Sequence, residues 1–234
     1  VARKEVYRTD CQEKEDQVTE KIDLFIRIGP KDRIRLGIAM ACVARWKSDP
    51  LVRLRPIALG GTKLAEPFTY RDYLELSWEK CFPAENFHFA SRQYADENAE
   101  TEPYLMVDDD EMPLGANWVE HAVNLWHLYN VDRKYVMMVG RPMLTVEDSV
   151  RHHERLRNSK LEVEEMPYWW GCPYMSYRGA VPYGEFKGPA DKQDPIVADW
   201  ANKNNKKQAL CMNLYYSHFG LSFSQVQPAL YGRF

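Results

Sequence analysis

The chain has 234 residues, 45% hydrophobic and 28% charged, which suits one large domain or two small ones with a sizeable core. A net charge of −3 gives no electrostatic case for a nucleic-acid or membrane-surface protein, and no apolar stretch approaches the length that spans a bilayer. The five cysteines are odd in number and widely spaced, with no CxxC or Cys/His zinc pattern, so reduced thiols in a cytoplasmic setting are expected over a disulfide framework.

Residues 1–20 are highly charged and read as a peripheral extension. Ile22 to Ile28 reads as a buried strand, broken by Gly29-Pro30. Asp32 then caps a helix over 32–47, whose apolar positions Ile34, Ile38, Cys42 and Trp46 recur every four residues. A second strand covers Arg55 to Leu59 and stops at Gly60-Gly61. Tyr70 to Cys81 reads as a helix and Phe87 to Ala90 as a short strand. Tyr104 to Val107 is a further strand, and Leu114 to Tyr129 a helix behind an acidic turn. Tyr135 to Gly140 is a strand and Val146 to Arg157 a polar helix. Residues 166–190, rich in Pro, Gly, Tyr and Trp, suggest an ordered binding loop. Pro195 starts a helix to about Asn202, and Leu210 to Ser217 is a last strand. Alternating strands and helices predict an α/β sheet, and such sheets bind ligands at the carboxyl ends of their strands.

At one such end stand Asp108-Asp109-Asp110, with Glu111 next. Adjacent carboxylates repel strongly, and a hard cation, Mn²⁺ or Mg²⁺, relieves the repulsion while carrying phosphate oxygens as further ligands. The plainer alternative is an acidic surface turn with Asp108 capping the following helix.

Four blocks in this order resemble the GT-A family of DxD-containing, metal-dependent nucleotide-sugar glycosyltransferases, its inverting family-2-like branch in particular. Asp23 to Arg33 (DLFIRIGPKDR) looks like the family's first strand and nucleotide-binding turn. Ser91-Arg92-Gln93 ahead of Tyr104 to Asp110 is similar to the ARN…A.GEYILFLDDD stretch. Met175-Ser176-Tyr177-Arg178 resembles the AYRR segment, and Gln193-Asp194 before a helix sits where the xED motif falls. The resemblance implies an α/β fold, a single GT-A-like domain over 21–234 with a Rossmann-like mixed sheet flanked by helices, its donor half at about 21–112 and its acceptor half at about 113–234.

It further implies that Asp110 binds a divalent cation clamping the donor diphosphate, that Asp108 contacts the ribose or the metal, and that Asp109 joins Asp108 in the donor-binding site. His218, after the last strand, would complete the metal sphere, the alternative being a histidine bonded within the fold. Asp194 is the implied catalytic base, with Asp191 in reserve because Gln193 replaces the usual Glu; capping the helix ahead of Pro195 is the equal alternative for Asp194. Arg27, Gly29, Lys31 and Arg92 would line the donor nucleotide. No acid follows the second strand at Leu59-Gly60-Gly61-Thr62, where the family commonly reads uracil. Trp169-Trp170 offer faces for sugar stacking, with Trp170 the choice for the cleft and core packing the alternative.

The expected reaction is transfer of a sugar from a UDP-sugar, UDP-glucose by default, to a hydroxyl acceptor with inversion. Two rivals use the same features: a nucleotidyltransferase or phosphohydrolase with the same acidic metal site, and a non-catalytic carbohydrate-binding protein.

Overall fold

A computed structural model describes residues 20–29, 33–59, 76–82, 87–143, 161–166, 173–187 and 193–219 of the chain. Strand β1 (Ile22–Ile28) is buried along its whole length, its apolar residues and the charged Asp23 and Arg27 alike, as a strand in the middle of a two-sided sheet should be. It lies between β2 (Val52–Leu59) and β4 (Tyr104–Asp108), parallel to both, and β3 (Lys80–Phe82) adds a short parallel edge beyond β2. The sheet changes direction on the other side of β4. There β8 (Tyr174–Ser176) runs antiparallel between β4 and β6 (Tyr135–Met143), and β6 pairs in parallel with β9 (Lys207–His218). The long β9 also takes β7 (Val163–Met166) on its first half and β5 (Glu111–Pro113) on its last residues, both antiparallel. Among the described residues the result is an α/β fold with one mixed nine-stranded sheet.

Four helices flank that sheet among the described residues: α1 (Arg33–Lys47), α2 (Phe87–Asn98), α3 (Trp118–Tyr129) and α4 (Gln193–Lys203). A 3₁₀ turn at Tyr183–Glu185 packs beside α2. Helix α1 buries Ala39, Cys42, Val43 and Trp46, and the Trp46 indole meets Trp118 of α3 edge-on at 5.3 Å. The Trp46 Nε1–H donates to the Glu111 carbonyl at 2.8 Å, which ties α1 to the start of β5. No described helix is long and apolar enough to cross a membrane.

Two predicted elements are corrected. Phe87 to Ala90 opens helix α2 and is not a strand. Its apolar residues alternate locally, but the buried set Phe89, Ser91, Arg92, Ala95 and Asp96 lies on one helical face, carried largely by polar and charged side chains that a hydrophobic pattern cannot register. Tyr70 to Cys81 is not a helix where it is described: 76–79 have no regular structure, and Lys80–Phe82 form β3. Pairing with Ile57–Leu59 overrides local propensity there.

Helix α3 starts at Trp118, not Leu114, because Glu111–Pro113 are held by β9 and the chain then turns through Gly115 and Asn117 at positive φ. The predicted helix at Val146 to Arg157, residues 1–19, and residues 167–172 and 188–190 of the loop at 166–190 lie outside the described residues; the rest of that loop's span carries β8 and the 3₁₀ turn.

Candidate functional site

Strand register builds the site. Parallel pairing of β1 and β4 sets Arg27 opposite Asp108, both at the carboxyl end of the sheet. Side chains opposite one another on neighbouring parallel strands share a face, so an ion pair follows from backbone geometry. Arg27 Nε donates to Asp108 Oδ1 at 2.6 Å and Nη2 to Oδ2 at 2.8 Å, a bidentate fork. The arginine is 3% exposed and the aspartate 32%, so the pair is closed on the cationic side and open on the anionic side.

The turn after β4 distributes its acids. Asp109 is buried, and its Oδ2 accepts the Gly29 N–H at 3.2 Å, fastening the turn to the end of β1. Antiparallel pairing of Glu111 with His218 carries the end of β9 back to the turn, and the Phe219 N–H donates to the Asp110 carbonyl at 2.9 Å. This brings Asp110 Oδ2 within 3.5 Å of His218 Nε2, with both side chains about one-quarter exposed, at 27% and 24%. A carboxylate oxygen and an imidazole nitrogen so placed suit a divalent cation such as Mn²⁺ as two protein donors, with phosphate and water completing the shell. Among the described residues no group of three or more His, Cys, Asp or Glu is arranged to hold a metal ion, so this is a two-donor arrangement.

Two residues that were assigned no role belong to the cluster. Glu111 is fully buried, and the Asp108 backbone N–H donates to its Oε2 at 2.7 Å. Burial, and then repulsion from Asp108 and Asp110, push the Glu111 carboxyl well above the ordinary carboxylate range. His88, near the start of α2, lies with Nδ1 3.3 Å from Arg27 Nη1. Burial, then the Arg27 cation, pull its pKa down to about 4, which keeps the ring neutral. Glu111 was visible in the sequence as a fourth consecutive acid. His88 stands one helical turn before Arg92, a signal that needed α2 to be recognised as a helix.

The structure therefore brings together Arg27, Gly29, Asp108, Asp109, Asp110 and His218. Arg92 is buried against β8, its guanidinium carbon 5.7 Å from the centre of the Tyr174 ring. Helix α4 begins at Gln193, so Asp194 belongs to its first turn, two residues earlier than the predicted start. Lys31, Trp170 and Asp191 lie outside the described residues.

The sequence matches no protein-family model, and no curated protein matches it at a significant level.

Proposed function

We propose that the chain is a GT-A-like, metal-dependent glycosyltransferase that moves a sugar from a UDP-sugar, UDP-glucose by default, to a hydroxyl acceptor with inversion. The observation that carries this reading is the division of labour in the acidic turn: Asp108 faces Arg27, while Asp110 faces His218. A site for a nucleoside-diphosphate sugar needs donors for a cation and a rigid polar edge beside it. The parallel β3-β2-β1-β4 half of the sheet, with this turn at its carboxyl end, supports the same reading.

In this reading Asp110 and His218 would hold Mn²⁺ or Mg²⁺. When bound, the cation supplies positive charge to the departing nucleoside diphosphate. Asp108, oriented by Arg27, meets the ribose and diphosphate edge. Asp109 and Gly29 keep the turn against β1, so the carboxylates do not shift as the donor enters. Asp194 in the first turn of α4 is the proposed base that takes the acceptor hydroxyl proton, with Asp191 in reserve. The bulk of such a transferase would be soluble and cytoplasmic.

Calorimetric titration of UDP, GDP, CMP and UDP-sugars, with Mn²⁺ and then with EDTA, tests the reading. Binding of one nucleotide that disappears with EDTA is expected. Nucleotide binding in neither condition refutes the transferase and moves the site to another metal-dependent or carbohydrate-binding role. Asp194→Asn is expected to spare donor binding and remove transfer, and a retaining product sinks its assignment as the base.

A further inference from the structure

The acidic turn is held by more than strand register, and the extra support comes from a helix. Arg27 uses all three of its nitrogens: Nε and Nη2 on the two Asp108 oxygens at 2.6 and 2.8 Å, and Nη1 towards His88 Nδ1 at 3.3 Å. A guanidinium has only donors, so the third contact forms only if Nδ1 carries the ring's lone pair and the proton sits on Nε2. The bidentate fork sets the Arg27 and Asp108 groups edge to edge, and the contact from α2 adds a further anchor, so that β1, β4 and α2 hold one plane from three directions.

We propose that His88 is a positioning residue of the donor site: by accepting from Arg27 it fixes the plane of the Arg27–Asp108 pair, and so the angle at which Asp108 meets the ribose and diphosphate of a nucleotide. The proposal rests on the donor-site reading above. Its logic is that of an outer partner orienting an inner ligand, as when a carboxylate orients a metal-bound histidine. The low basicity of the ring agrees with it, since a protonated imidazole would set one cation against another.

The test uses His88→Leu, which removes the acceptor, and His88→Asn, whose side-chain oxygen can stand near the place of Nδ1. UDP affinity is measured with Mn²⁺ by calorimetry, beside thermal midpoints and ¹⁵N spectra of the wild-type ring. H88L is expected to weaken UDP binding about tenfold, the scale of one hydrogen bond to a charged group, while H88N recovers most of it. The ¹⁵N spectrum is expected to show Nδ1 unprotonated and Nε2 protonated at neutral pH. If H88L binds UDP as the wild type does, if H88N loses as much as H88L, or if Nδ1 carries the proton, the proposal is overturned while the donor site stands. A wild-type protein that binds no nucleotide overturns the donor-site reading and this proposal with it.

Discussion

Asp108→Asn removes one charge from a pair whose other member, Arg27, is almost wholly buried. Opposite charges about 4 Å apart attract by about 4 kcal/mol at an effective dielectric near 20, and breaking a fully buried pair typically costs about 3–5 kcal/mol. Asp108 is 32% exposed, so water already screens part of the interaction, and a loss of about 2–3 kcal/mol is expected. For a chain of 234 residues this corresponds to a fall in thermal midpoint of about 5–10 °C. A double-mutant cycle with Arg27→Met isolates the pairwise part of this loss. Arg27→Met leaves a carboxylate that water can reach, so it should cost less, about 1–2 kcal/mol. The double variant should then be more stable than the sum of the single changes by about 2 kcal/mol, read from urea unfolding in EDTA. Additivity within about 0.5 kcal/mol would show that the fork contributes nothing and would refute the reasoning.

Three further outcomes follow from the same geometry. Glu111 is protonated in the folded protein at pH values where the unfolded chain ionises it, so its contribution is fully present below the ordinary glutamate value and is lost as pH rises towards the folded pKa. In EDTA, Glu111→Gln should therefore remove a decline of up to about 1.4 kcal/mol per pH unit, and wild-type and variant urea midpoints that run parallel from pH 5 to 7 would count against this. Asp110→Ala should abolish Mn²⁺-dependent UDP binding and His218→Ala weaken it about tenfold or more, with titrations in EDTA unchanged; equal Mn²⁺ dependence in either variant and the wild type would exclude that residue as a donor. Asp23→Asn should destabilise the fold by about 3 kcal/mol in urea unfolding yet leave UDP affinity of the folded protein unchanged, and an affinity loss at full folding would contradict the structural role given to it below.

What the sequence made legible follows the range of the forces involved. The apolar runs of β1 and β4 state their burial locally, and Gly29 and the acidic turn mark where each ends. The spacing of Cys42 and Trp46 states the buried face of α1 just as directly. Helix α2 was misread because its inner face carries Arg92 and Asp96, which are buried through tertiary partners: Tyr104 Oη and the Gly179 N–H both donate to Asp96, at 3.2 and 2.9 Å. The meeting of Asp110 with His218 depends on β5 pairing with the end of β9, and a three-residue strand has too little pattern to declare itself. His218 was singled out by resemblance, while the pairing that delivers it came only from the structure. His88 was missed for the same reason as α2.

Strand β1 carries two charged clusters on one face, four residues apart, and their contrast explains why only one reads as a site. Asp23 at the amino end is fully buried. It accepts from Arg53 Nε at 2.6 Å, from Arg55 Nη1 at 3.4 Å and from the Glu100 backbone N–H at 2.6 Å, while the Arg55 guanidinium also covers the Phe25 ring at 4.8 Å. The Asp23 carboxylate is closed off by protein on all sides, so its bonds stabilise the fold. Arg27 at the carboxyl end is equally buried, yet the carboxylates around it are not: Asp108 and Asp110 keep 32% and 27% of their side chains open. A buried cation behind partly exposed anions, with a neutral histidine bracing the cation, leaves negative charge facing outward where the parallel strands end. Net negative charge held open in that place repels a bare diphosphate, and a divalent cation between the two reverses the sign of the interaction. Under the proposed transferase reading, that electrostatic requirement would tie the metal and the nucleotide together, and it predicts that neither binds well without the other.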